Sequence, residues 1–192
     1  MTAADEPIDL LTAALDQVAA RLDDVAEDQR HLPTPCPEWD VTELSHHLLT
    51  DLAQFTVRAQ GGQPDWSGPP ATHAADTTEA FRAGARVLLA AWDKAGDLSG
   101  VVDLPRVGTV PARWMVDQQI AEFAVHAWDL VRATGGSVAE LDPTIGESAL
   151  AWGRTALRPE YRRPGGAFGP EVPVAETAPI YDRLAGFYGR TP

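Results

Sequence analysis

The 192 residues carry 28 Asp and Glu against 15 Lys and Arg, a formal net charge of −13 that repels nucleic acid and anionic membrane surfaces. A hydrophobic fraction of 44% with six Trp belongs to one folded globule and excludes a disordered chain. The single cysteine, Cys36, excludes an intramolecular disulfide and a multi-cysteine zinc cluster, and no apolar run is long enough to span a bilayer.

The chain opens Met1-Thr2-Ala3-Ala4-Asp5-Glu6, acidic where a secretion signal needs basic residues, so a cytoplasmic protein is expected. A first helix is predicted from about Pro7 to Arg30, with Leu10, Leu11, Ala14, Leu15, Val18, Leu22 and Val25 forming its stripe. Pro33, Pro35 and Pro37 then force an ordered loop. Asp40 reads as the N-cap of a second helix, Glu43 completes a capping box, and Gly61-Gly62 ends the helix after Val41, Leu44, Leu48, Leu52 and Phe55.

Beyond a Pro/Gly-rich loop, a third helix is expected over about Thr77 to Ala95, its apolar side made of Phe81, Val87, Leu88, Ala91 and Trp92. Val101–Pro105 and Gly108–Pro111 are too short for helices and read as a small hairpin. A fourth helix runs from about Ala112 to Ala133 and stops at Thr134-Gly135-Gly136; a fifth covers about Thr144 to Leu157. The whole is an all-α, up-down four-helix bundle over residues 1–157. Residues 158–192 form an irregular Pro/Gly-rich tail packed on the same domain, with a last helical turn or two around Tyr181 to Phe187.

Within the fourth helix, Glu122 and His126 lie four apart and can reach a common atom. A carboxylate and an imidazole are two-thirds of a catalytic-type zinc site, and His47 is the candidate third ligand. The plainer alternative is an ordinary solvated Glu/His pair, with His47 a core-edge residue bonded to a carbonyl or to Asp51. At ~100° per residue, His47 falls on the shoulder of its helix's stripe and His46 on the solvated side. The same arithmetic puts Glu122 and His126 roughly 120° from the main stripe of theirs, in water. That helix is nevertheless apolar around most of its circumference, as in a helix contacted on several sides.

Cys36, wedged between prolines, reads as a small packed residue. His31 and His73 read as loop surface. Arg106 and Arg113, just before the fourth helix, are bases that could guide an anionic cofactor, with surface solubility as the plainer role.

Three stretches carry a family resemblance. They are Thr34-Pro35-Cys36-Pro37-Glu38-Trp39-Asp40-Val41 with Leu44-x-x-His47-Leu48, Val125-His126-Ala127-Trp128-Asp129-Leu130-x-x-Ala133-Thr134-Gly135, and the closing Asp182-Arg183-Leu184-Ala185-x-x-Tyr188-Gly189-Arg190. Together they resemble an actinobacterial family grouped with the N-terminal domain of the mycothiol-dependent maleylpyruvate isomerase, within the DinB-like superfamily of metal-binding bundles.

The resemblance implies a divalent metal, zinc first with nickel or iron as alternatives, on His47, Glu122 and His126. It also implies a low-molecular-weight thiol such as mycothiol or bacillithiol, in an S-transferase or isomerase acting on a small-molecule substrate. The metal would lower the thiol pKa and the thiolate would attack an electrophilic carbon. Asp129, one turn past His126, would orient a ligand from behind, its alternative being a surface or loop-pairing carboxylate.

A metal-dependent hydrolase and a non-catalytic metal or ligand binder remain as rival readings, and bundles of this type also form homodimers. The isomerase carries a second, C-terminal domain that these residues do not include, so isomerisation of maleylpyruvate itself is not expected.

Overall fold

A computed structural model describes residues 6–37, 39–67, 76–104, 107–163 and 168–192, Glu6 by its backbone only. Glu38, His73 and Arg106 therefore lie outside the described residues. The helices are α1 (Glu6–Asp23), α2 (Val41–Ala59), α3 (Thr77–Ala95), α4 (Trp114–Thr134), α5 (Pro143–Ala156) and α6 (Ile180–Phe187). Between α3 and α4 a hairpin pairs β1 (Val101–Leu104) with β2 (Gly108–Pro111), Val102 opposite Val110.

Helices α1 to α4 form the four-helix bundle, with α5 and then α6 added on the α4 side. The core runs through it from Leu11, Leu15 and Val18 to Leu44, Leu48 and Leu52, Phe81 and Leu88, and Ile120 and Phe123. Phe123 meets Phe55 and Phe81 edge-on, at 5.9 Å between centroids in each case. Among the described residues no helix is long and apolar enough to cross a membrane.

Three expectations need correction. The first helix ends at Asp23, not Arg30, and a separate 3-10 turn covers Glu27–Gln29. Asp23 and Asp24, at this end of the helix, are ion-paired with Arg82 and Arg21. Ala26 is extended, at ψ 157°, and its N–H donates to the Gln29 side chain. Val87 is 54% exposed, so the inner face of α3 is narrower than the stripe suggests. Finally, α4 is buried almost all round, because α1, α2, α5 and α6 each touch it. Glu122 and His126 face α2, not water: His126 is buried and Glu122 half-buried.

The proline loop is tied off by its own hydrogen bonds. Thr34 Oγ1 donates to the Trp39 carbonyl (2.8 Å), the Thr34 N–H donates to the same oxygen (3.1 Å), and Val41 N–H reaches back to Leu32 O (3.1 Å). Asp40 caps α2 by accepting from Glu43 N–H, and the Glu43 carboxylate accepts in return from Asp40 N–H. The start of α2, and with it the height of His47, is fixed by these bonds.

Candidate metal centre

His47 and Asp51, one turn apart on α2, face Glu122 and His126, one turn apart on α4. Glu122 Oε1 lies 3.0 Å from His126 Nε2 and 3.3 Å from His47 Nε2. These three donor atoms all fall within 4.8 Å of one another. Trp39, from the proline loop, lies over the His47 ring at 4.2 Å between centroids and reaches His126 at 5.9 Å.

Behind this cluster, Asp129 is fully buried and its Oδ2 stands 2.9 Å from His126 Nδ1. A carboxylate only accepts, so His126 carries its proton on Nδ1 and, when neutral, presents the Nε2 lone pair to Glu122. Two acceptors 3.0 Å apart need a positive charge between them. Without a metal the site meets that need with a proton. Burial disfavours a charged His126, yet Asp129, Cys36 and Glu122 beside it push its pKa well above the ordinary value. Burial would likewise raise Glu122, but His126 and His47 outweigh it and hold the carboxyl well below the usual range.

Asp51 behaves in the opposite way. Its side chain is buried, and Oδ2 lies 3.1 Å from His47 Nε2 without the alignment of a hydrogen bond. Burial, reinforced by the nearby Glu122 charge, raises its pKa well above the ordinary value.

A second donor cluster, Cys36, His126 and Asp129, converges as tightly. It already has a cation. Arg190 donates to Asp129 Oδ1 from Nε (2.9 Å) and to Oδ2 from Nη2 (2.8 Å), and Nη2 also reaches Cys36 Sγ at 3.1 Å. By contrast, the ion pairs of Glu122 among the described residues are with the two histidines alone. Donor spacings of 3.0 and 3.3 Å match the edges, about 3.3 Å, of a tetrahedron with zinc-length bonds. Two imidazoles and one carboxylate, with His47 and Glu122 partly exposed, are the donor set of a catalytic-type divalent site. The residues present fit such an ion.

The other residues singled out in the sequence lie elsewhere. His46 is half-buried, not solvated, and belongs to neither donor cluster. His31 is exposed, 3.4 Å from Asp40. Arg113 is exposed and pairs with Asp117 at 3.0 Å. Cys36 is half-buried and is more than packing, since it contacts both Arg190 and Asp129. Spacing does not assign Trp39 and Arg190 to the site, because each comes from a loop or tail. Their only signal is their place in the family-like stretches.

The model of the mycothiol maleylpyruvate isomerase N-terminal domain family matches residues 11–131. Two uncharacterized proteins of Mycobacterium tuberculosis, one from strain CDC 1551 / Oshkosh and one from strain ATCC 25618 / H37Rv, are each 33% identical over 97% of this chain and 98% of their own. The crystal structure of the mycothiol-dependent maleylpyruvate isomerase superposes with a TM-score of 0.60 over 78% of this chain and 68% of that one; at 19% identity the likeness is one of fold. On the family match and the full-length mycobacterial relatives, the chain belongs to the mycothiol maleylpyruvate isomerase N-terminal domain family.

Proposed function

We propose that His47, Glu122 and His126 hold a divalent metal, zinc first with nickel or iron as alternatives. The open position would take a low-molecular-weight thiol such as mycothiol, for attack on a small electrophilic substrate. The observation that carries this is the Glu122 carboxylate facing two imidazole Nε2 atoms at 3.0 and 3.3 Å, with no arginine or lysine ion pair of its own among the described residues. The thiol is supported by the family, whose description names mycothiol. Such thiols are kept reduced in the cytoplasm, the setting that fits this reading.

When bound, a metal of this class lowers the pKa of a thiol in its open position. The rest falls to the chain. Asp129 holds the proton on His126 Nδ1, leaving Nε2 free as a donor atom. Trp39 covers His47 and keeps water from that side of the imidazole. Glu122 would contribute the one negative charge among the three donors, so a divalent ion held there would keep net positive charge for an anionic sulfur.

Protein purified without an affinity tag, offered zinc, nickel, iron and manganese, is expected to hold about one equivalent of metal, and less than about a tenth would sink the reading. In cobalt-substituted protein, mycothiol is expected to produce a sulfur-to-cobalt charge-transfer band in the near ultraviolet. No band, and no thiol consumption with epoxides, maleyl compounds or halogenated aromatics, would leave a metal-dependent hydrolase or a non-catalytic binder.

A further inference from the structure

The tail residue Arg190 is placed by the end of α6 itself. Arg190 N–H donates to Ala185 O (2.9 Å) and Gly189 N–H to Gly186 O (3.0 Å), the paired bonds of a Schellman cap. Gly189 takes the left-handed conformation this cap requires, φ +85°, and a side chain there would strike the backbone of Gly169 at 3.0 Å. The cap turns the chain back toward α4 and aims the guanidinium at Asp129.

The resulting contact is a fork. Nε meets Oδ1 at 2.9 Å and Nη2 meets Oδ2 at 2.8 Å, while Oδ2 also accepts from His126 Nδ1 at 2.9 Å. An unbraced carboxylate can rotate about its last torsion and offer His126 either oxygen or neither. Held by both oxygens, this one has a single orientation, with Oδ2 in line with the imidazole.

We propose that Arg190 is a positioning residue for His126. Through Asp129 it fixes the tautomer that keeps Nε2 open toward Glu122 and His47. The tail, which supplies no donor to the cluster, thereby decides which ring nitrogen the cluster receives. The consequence for metal binding rests on the reading proposed above; the tautomer does not.

The test uses the full chain with 15N-labelled histidine. In metal-free protein, at a pH above the His126 titration, the ring nitrogens should read as protonated Nδ1 and bare Nε2. Arg190→Lys keeps the charge but loses the fork, and is expected to shift both signals toward a mixture of tautomers. Zinc affinity, measured by chelator competition, should fall about tenfold in R190K and about tenfold or more in Asp129→Asn. If Arg190 acts through Asp129, R190K in the D129N background should add less than about twofold.

Unchanged ring-nitrogen shifts in a folded R190K, or losses of affinity that simply add in the double variant, would overturn the proposal. Should R190K fail to fold, Arg190→Ala with and without ethylguanidinium replaces it. Return of the Nδ1 signature on adding the cation supports the proposal, and no return overturns it. A wild-type chain that binds no zinc would remove the metal reading alone, since the NMR comparison needs no metal.

Discussion

At the scale of single residues, two neighbours on α2 should part company. His47→Ala removes a donor atom 3.3 Å from Glu122 and is expected to abolish metal retention or weaken it by orders of magnitude. His46→Ala, outside both donor clusters, should leave metal content unchanged, as elemental analysis of the two variants would show. Asp51 gives a prediction of stability. Its pKa is raised well above that of the unfolded chain, about 3.9, mainly by burial. The folded state thus holds this proton to higher pH than the unfolded state. The resulting penalty is absent at low pH and grows as pH rises from there through the folded pKa. Asp51→Asn should therefore stabilise the metal-free protein at pH 7 by ~1 kcal/mol and change little at pH 4. Thermal melts in chelator at the two pH values check it, and a lower melting temperature at pH 7 would refute it. The pair Glu122/His126 was legible from its spacing. Its burial was not, because a single-helix periodicity cannot register that four other helices pack around α4.

At the scale of elements, α6 depends on two glycines of α5. A Cβ at Gly146 would come within 3.1 Å of the Tyr181 ring, and one at Gly153 within 2.9 Å of Phe187 and 2.8 Å of the Tyr188 hydroxyl. Alanine at either position gains ~1 kcal/mol of helix propensity and loses ~1–3 kcal/mol to overpacking, so the net sign is set by packing. Gly153→Ala should lower the melting temperature. By shifting α6 it should also weaken zinc binding through Arg190; a rise in melting temperature with unchanged zinc affinity would show that α6 is not held this tightly. The sequence located these elements well where caps mark them. Asp40 with Glu43, Asp142 before Pro143, and Gly135 after Thr134 each stand at an observed boundary. It misplaced the end of α1, where the apolar stripe continues to Val25 but the backbone does not follow. It could not assign Arg190 to the site, since the tail is joined to Asp129 across 61 residues by side-chain contacts that no local pattern encodes.

At the scale of the whole molecule, metal and proton compete for one buried place, and stability should report the competition. In the metal-free fold, His126 has a pKa raised above its unfolded value by Asp129, Cys36 and Glu122, against burial. Its stabilising contribution is therefore complete below about pH 6.5 and is lost as pH rises through the raised pKa. Metal loading has the opposite slope, because the ion takes neutral imidazole and must displace that proton. The gap in melting temperature between zinc-loaded and chelator-treated protein should then widen from pH 6 to pH 8. At free zinc a hundredfold above Kd, linkage supplies ~2.7 kcal/mol, or about 5–10 °C for a chain of this size. Proton release on zinc addition, followed in a weakly buffered solution, should accompany binding while His126 arrives protonated and fall away once pH exceeds its raised pKa. A gap that stays constant with pH would mean that zinc binds away from His126. A gap that narrows would mean that the folded site gains its metal without giving up a proton, and that the convergence of Glu122 on the two imidazoles is an ion-paired hydrogen-bond network in its own right.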